Sequence, residues 1–505
     1  MRLLFSIGFI VLSFQTSAQL SHVIEGKEYS NSRKDAFNGF VGETAIAVYG
    51  VDYVYVSKKK QELVVRKFYK KDLSLVESIN LLTYPLEEYN NTPLELFFVN
   101  DKFYLFSAFE SYKSESAKIG LFMFDENCSQ LSFEVIDTVD HFLETKIEVK
   151  MAVDESGFVV TQSHVHKVAN RQVVELSSID LNGNIKWRKE LLSTNSVNQT
   201  EVEQIVHTRD ETYLLCNYGY KGSVETTSLS NKYTLWVYNH KLNFMKEVVL
   251  RLKRKWINGV RIDLDIDNNL VVAGYVNDSK NFGINASFNF KLNDNYEPQK
   301  VNYYKYSTDD LSQFVTAKKI NKINYIEDIY LRDLVLQKDG SFYIVGEEYY
   351  VYVDRVYDPR TNITSTTEHY NYNALLISYF DQSGKLLWNK RLTKSQNSVE
   401  DYGMYSSFTI ANLKNNSMAI IYNDNEKNLG LSVGDHTNHK ELFNNRRHAI
   451  VYVLIDETGI VKRKRIVEKT NFNLYAKQSK SITDNKIYLK AEYGRNSKVI
   501  GVSFE

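Results

Sequence analysis

One phrase recurs at long intervals and limits the possible folds of this chain more than any other feature. It reads Ser178-Ile179-Asp180-Leu181-Asn182-Gly183-Asn184-Ile185-Lys186-Trp187, then Tyr379-Phe380-Asp381-Gln382-Ser383-Gly384-Lys385-Leu386-Leu387-Trp388, then Leu454-Ile455-Asp456-Glu457-Thr458-Gly459-Ile460-Val461-Lys462-Arg463. Each copy is an apolar run, an Asp, a Gly three residues later, and a second run opening toward Lys or Arg. Asp and Gly are turn formers, and the alternating flanks read as two antiparallel strands. Recurrence of one hairpin across hundreds of residues predicts a repeat architecture.

The rest of the chain fits that reading. Aromatic and β-branched runs alternate with short polar turns, 3.6-residue periodicity is almost absent, and only 4 prolines interrupt 505 residues. The class is all-β. Grouped by the phrase, strands fall in fours: Lys146–Val153, Phe158–His164, Gln172–Asp180 and Asn184–Leu192 make the clearest unit. Asp328–Gln337, Ser341–Tyr349, Ala374–Asp381 and Lys385–Leu392 make a second, and Ser406–Leu413, Ser417–Tyr422, Ala449–Asp456 and Ile460–Glu468 a third. Weaker copies occupy 43–82, 93–140, 200–252 and 257–306. Only Ala476–Ile482, Lys486–Tyr493 and Val499–Phe504 remain at the end, so the fourth strand is expected from the start of the mature chain, around His22–Tyr29. A ring closed by the two termini leaves no unpaired edge. The expected fold is a single β-propeller domain over 19–505 with eight four-stranded blades, seven if the termini pair differently, and an array of sandwiches as the alternative.

The N-terminus reads as a secretory signal peptide over 1–18: Met1-Arg2, an apolar stretch Leu3–Phe14, and small residues at Thr16-Ser17-Ala18. No Cys follows for lipid attachment, and no later stretch has the length of a membrane span. Export to the periplasm or the cell surface is expected. Lys+Arg and Asp+Glu both total 62, a balance that argues against nucleic-acid binding; the run Arg251–Lys255 reads as a solvated connection. Cys128 and Cys216 fall in different units, which predicts that they stay unpaired.

The Asp-x-x-Gly-x-x-x-Trp phrases resemble the repeats of quinoprotein-type and WD40-like propellers. Leu331–Phe342, together with Lys394-Ser395-Gln396 and Tyr422-Asn423-Asp424, resembles a family of exported β-propeller proteins from Bacteroidota, mainly over 326–470. That resemblance implies a fold, a lineage and export. It implies no reaction.

Motifs that suggest chemistry have plainer readings. Trp187 and Trp388 stand where quinoprotein repeats carry packing tryptophans, so inter-blade docking is expected and no cofactor is assigned. The Asp box of sialidases needs Asp-x-Gly, a spacing the phrase lacks. Asp263-x-Asp265-x-Asp267 resembles the start of a calcium loop, but Leu264 and Ile266 alternate as in a strand and the twelfth position is Gly274. His164 with His166, and His436 with His439, are pairs lacking a third ligand and read as surface histidines. No metal, no catalytic triad and no phosphate-cradling loop is expected.

Function is read from where the long segments fall. In a propeller the turn between the first two strands of a blade and the turn between the last two open on one face; the remaining connections open on the other. The former are almost all tight here. The long segments Gly219–Lys232, Tyr306–Tyr325, Tyr350–Asn373 and Asn423–His448 are therefore expected together on the opposite face. Tyr350, Tyr352, Arg355, Tyr357, Arg360, Tyr370 and Tyr372 in one, with His436, His439, Arg446 and Arg447 in another, supply flat apolar area with polar tips. Two readings of Tyr350–Asn373 stand side by side, a recognition loop and an extended hairpin using Tyr as a strand former. The leading expectation is a non-enzymatic exported propeller whose loop-rich face binds an envelope protein or glycan. A glycan hydrolase or lyase with channel carboxylates, and a structural subunit of an envelope assembly, are the alternatives.

Overall fold

The computed structural model describes residues 20–30, 45–49, 52–59, 62–69, 73, 75–81, 90–111, 114–125, 129–140, 144–166, 171–192, 200–218, 232–279, 283–320, 322–360, 362–444, 446–467, 470–478, 480–483, 485–494 and 496–505. The signal-peptide stretch 1–18, Cys128 and most of Gly219–Lys232 lie outside them. The described strands form eight sheets, and in seven of them four strands follow one another in chain order. The fold is a β-propeller.

Blade 1 is Ala45–Tyr49, Asp52–Lys59, Glu62–Tyr69 and Leu75–Leu81; blade 2 is Asn90–Val99, Lys102–Ser111, Ser116–Asp125 and Gln130–Asp140. Blade 3 is Lys146–Met151, Gly157–His166, Arg171–Asp180 and Ile185–Leu192; blade 4 is Thr200–His207, Glu211–Tyr218, Lys232–Asn239 and Phe244–Val249. Blade 5 is Trp256–Leu264, Leu270–Asn277, Ala286–Lys291 and Asn302–Lys305. Blade 6 is Ile329–Leu336, Phe342–Asp358, Ile363–Phe380 and Leu386–Leu392, and blade 7 is Thr409–Asn412, Met418–Asn425, His448–Asp456 and Gly459–Arg465. The eighth sheet holds Lys480–Thr483, Lys486–Tyr493 and Asn496–Phe504, and Leu20–Glu25 pairs antiparallel with its last strand. Two short helices, Thr308–Ser312 and Ala317–Ile320, interrupt the β pattern between blades 5 and 6.

Hydrophobic faces pack blade on blade. Between blades 6 and 7, Tyr343, Val345, Leu375 and Ile377 meet Met418, Ile420, Val451 and Val453, all fully buried. Burying one such side chain contributes about 1.5–3 kcal/mol, so each interface is a core of its own.

The recurring turns share one device. Asp180 accepts backbone N–H bonds from Asn182 and Asn184, Asp381 from Ser383 and Lys385, and Asp456 from Thr458 and Gly459, all within 3.2 Å. Gly183 and Gly384 sit at φ +88° and +77°, where a side chain is strained. Asp265 does the same for Asp267 and Asn269, so the acidic run before Gly274 is strand plus turn.

The third phrase departs from the first two in register. Ser178 faces Trp187 and Tyr379 faces Trp388, but Leu454 faces Lys462. With the turn one residue tighter, the residue seven after the Asp moves to the other face of the sheet. Arg463, which sequence spacing aligns with the tryptophans, therefore points into the interior and is 4% exposed. The tryptophans dock blades: Trp388 donates its indole N–H to Glu457 O of blade 7 at 2.8 Å, and Trp187 packs on His240 of blade 4 at 4.2 Å. Cys216 is buried and free.

Candidate binding face

Strand order fixes which end of each blade carries the long segments, and pairing draws those of blades 6 and 7 together. Tyr350–Asn373 is the extended hairpin of the two readings: Phe342–Asp358 and Ile363–Phe380 pair from the blade out to the tip, with one register shift between Glu347 and Tyr349 where the arm leaves the blade. This arm outruns its neighbours in the blade, since the pairing with Ile329–Leu336 ends at Ile329↔Glu348. At its base His369–Tyr372 pairs with Gln396–Val399, which pairs in turn with Leu442–Phe443. The arm and the segment 423–448 therefore emerge at one end, joined by a shared sheet.

Beneath that sheet lies a buried polar spine. Glu347, fully buried at the foot of the arm, accepts from Arg332 Nε at 3.0 Å and Ser407 Oγ at 2.8 Å, and pairs with Lys394 Nζ at 2.9 Å. Lys394 spends its other two protons on Tyr372 O and Gln396 Oε1, both at 2.8 Å. Gln396 donates to Asn423 O, and Asn423 ties Tyr405 O and Leu474 O from the next connections. Asp424 continues the line through Arg463 Nε at 3.3 Å and Asn428 Nδ2 at 2.8 Å. Arg463 reaches Thr393 O at 2.6 Å and Asn428 O at 3.1 Å. Burial pushes the Lys394 ammonium below its ordinary range against the pull of Glu347, and raises Asp424 against the pull of Arg463. Charges this deep persist because each faces an opposite charge, Glu347 Oε1 and Asp424 Oδ2 meeting Lys394 and Arg463 as ion pairs without a hydrogen bond. The spine fixes segments 393–399 and 423–448 to the ring.

The expected recognition residues divide into two groups. Tyr350, Tyr352, Arg355, Tyr357 and Arg360 are exposed along the arm, and His436, Arg446 and Arg447 are exposed beside it. Tyr352 packs on His369 at 5.3 Å, and Tyr357 donates to Asn362 Oδ1 at 2.9 Å. Tyr370, Tyr372 and the His439 side chain are buried instead. Tyr372 stacks on Tyr349 at 4.6 Å and meets Lys477 Nζ through its hydroxyl at 2.7 Å. Gly403 makes that approach possible: a Cβ there would stand 2.2 Å from the Tyr372 ring. Lys477, from the connection into the eighth sheet, is pushed down to about 8 by burial. The surface reading of His439 is corrected, because its side chain is 3% exposed near Asp424 and Asn428. Burial and the Arg463 charge hold it neutral, down to about 3.

Sequence reasoning missed the spine. Lys394, Gln396, Asn423 and Asp424 drew notice only through a family resemblance, and Arg463 only as a missing Trp. A local signal existed in Lys394 and Gln396, polar residues lying just beyond the end of Leu386–Leu392.

Outside the spine, Asp263 on the first strand of blade 5 has its carboxyl pushed up to about 6 by burial, and burial also raises Asp333 on blade 6. Glu203 and Arg261 approach each other to 3.4 Å. Among the described residues no group of three His, Cys, Asp or Glu could hold a metal ion, and no helix is long and apolar enough to cross a membrane.

No protein-family pattern and no curated protein sequence matches the chain. Among solved structures it is similar to the Dos1 propeller, with TM-score 0.45 and 10% identity over 95% of this chain and 94% of that one. The WD40 domain of SCAP from fission yeast gives 0.40 and 8% identity over 96% and 98%. The propeller domain of the trilobed protease from Pyrococcus furiosus gives 0.38 and 8% identity over 85% and 97%.

Proposed function

We propose that this chain is a non-enzymatic, exported β-propeller that binds a protein or glycan of the cell envelope through its loop-rich face. A propeller fold suits a binding or scaffolding role. One observation carries the finer reading: the arm exposes Tyr350, Tyr352 and Tyr357 by 39%, 51% and 57% on a support anchored by buried charges. Isolated exposed apolar residues are ordinary on a protein surface; three exposed tyrosines on one projecting hairpin, Tyr350 and Tyr352 on one side and Tyr357 on the other, support recognition. Aromatic rings with polar tips suit both a protein surface and a sugar face. The test replaces Tyr350, Tyr352 and Tyr357 together by Ser and compares capture of partners from envelope extracts with the wild type. Loss of a specific partner at unchanged thermal stability supports the reading. Equal recovery would sink it.

A further inference from the structure

We infer that the arm also joins two copies of this chain, edge to edge, through the strand Phe342–Asp358. This goes beyond partner binding by the aromatic face and stands on a different part of the hairpin, its bare backbone edge.

The two edges of the arm are unlike. On the Ile363–Phe380 side, Gln396–Val399 covers His369–Tyr372, and Glu400 donates its backbone N–H to Glu368 O at 3.1 Å. On the other side, pairing with the neighbouring strand stops at Glu348, and Tyr349 N–H reaches Asp328 O at 2.9 Å as the last contact. Among the described residues no strand pairs with this edge beyond that point.

The direction of the free groups follows from the ladder. Tyr349 N–H points away from the hairpin partner, whereas Val356 O points toward it and accepts from Ser365 Oγ at 3.3 Å. Alternation along a strand then sends the N–H and C=O of Val351, Val353, Arg355 and Tyr357 outward. The stretch is rich in β-branched and aromatic residues, and Val351, Val353, Val356 and Tyr357 are 41–63% exposed. A long apolar edge of this kind invites another strand.

The order of residues selects a second copy as the occupant. Two identical antiparallel edges related by a two-fold axis must align residues of equal parity, so the axis passes through one residue. Placed at Asp354, the middle of the free stretch, it sets Val351 opposite Tyr357 of the second copy, Tyr352 opposite Val356, and Val353 opposite Arg355. All four outward residues then bond to outward residues. The apolar cross-strand pairs are aromatic against β-branched, the favourable kind. The lone like-charge contact is Asp354 against Asp354, and each carboxylate already has His369 Nε2 of its own chain at 3.2 Å.

The full mature chain tests this by sedimentation equilibrium across the micromolar range. The wild type should form a dimer. Val353→Pro should abolish it, because that residue's N–H faces outward and its loss leaves the hairpin ladder intact; an unchanged melting temperature checks that the arm still folds. Asp354→Asn should lower the dimer dissociation constant several-fold by removing the repulsion at the axis. A monomeric wild type, or a dimer that survives Val353→Pro, would overturn the inference. So would an edge occupied by a strand of another protein, seen as a hetero-complex with no self-association. Val353→Pro keeps Tyr350, Tyr352 and Tyr357, so partner capture by that variant separates failure of the edge from failure of the aromatic residues.

Discussion

Replacing Lys394 by Met should loosen the support of the arm by about 3 kcal/mol while leaving distant blades unaffected. The Lys394 ammonium is fully buried and makes three contacts, to Glu347 at 2.9 Å and to Tyr372 O and Gln396 Oε1 at 2.8 Å. Met fills nearly the same volume, so the loss is electrostatic. Removing one member of a buried ion pair costs about 3–5 kcal/mol, mostly from the charge left behind. Here Arg332 still holds Glu347 at 3.0 Å and Ser407 still donates to it at 2.8 Å, which places the cost at the lower end. Further replacing Glu347 by Gln removes the stranded charge, so the double variant should recover about 1 kcal/mol or more. Native-state hydrogen exchange reads this directly, because the amides of Gln396–Val399 sit in the sheet that the pair supports. Their opening free energy should fall in the single variant and partly return in the double, with Gly157–His166 of blade 3 unchanged. A loss below about 1 kcal/mol, or additive effects of the two substitutions, would refute the view that the spine anchors the arm.

Gly403→Ala should cost about 1–3 kcal/mol of stability and disturb the arm base, because φ is +63° and the new methyl meets the Tyr372 ring; thermal unfolding checks it. Trp388→Phe should weaken the contact of blades 6 and 7 by about 1–2 kcal/mol through loss of the bond to Glu457 O, read by denaturant titration. His439 titrates near 3 in the fold against an ordinary value of 6.5, so the unfolded chain binds its proton first as pH falls. Its contribution is present above pH 6.5 and lost on descent toward 3, at about 1.4 kcal/mol per pH unit, and His439→Gln should flatten the stability profile by that slope.

Strand content was largely legible in the sequence, because turn chemistry and two-residue alternation are local. Lys146–Leu192 was read nearly strand for strand, and the N-terminal strand beside Asn496–Phe504 was anticipated from a counting argument about unpaired edges. Three things escaped. The arm was left open between loop and strand because Tyr serves both equally. Arg463 was aligned with tryptophan because a tighter turn changes register without changing spacing in the chain. The spine was invisible because Arg332, Glu347, Lys394, Asp424 and Arg463 are far apart in sequence and each alone resembles a surface charge. Long-range pairing, which brought them together, has no local signature.

The central claim is that partners meet the loop-rich face and not the face of the Asp–Gly turns. A hydrogen-exchange footprint of the intact protein, with and without envelope extract, tests it most directly. Slowed exchange confined to 349–373 and 436–447 is the predicted result. Slowed exchange at the turns 154–157, 182–184, 382–384 and 457–459, with the arm unchanged, would contradict it.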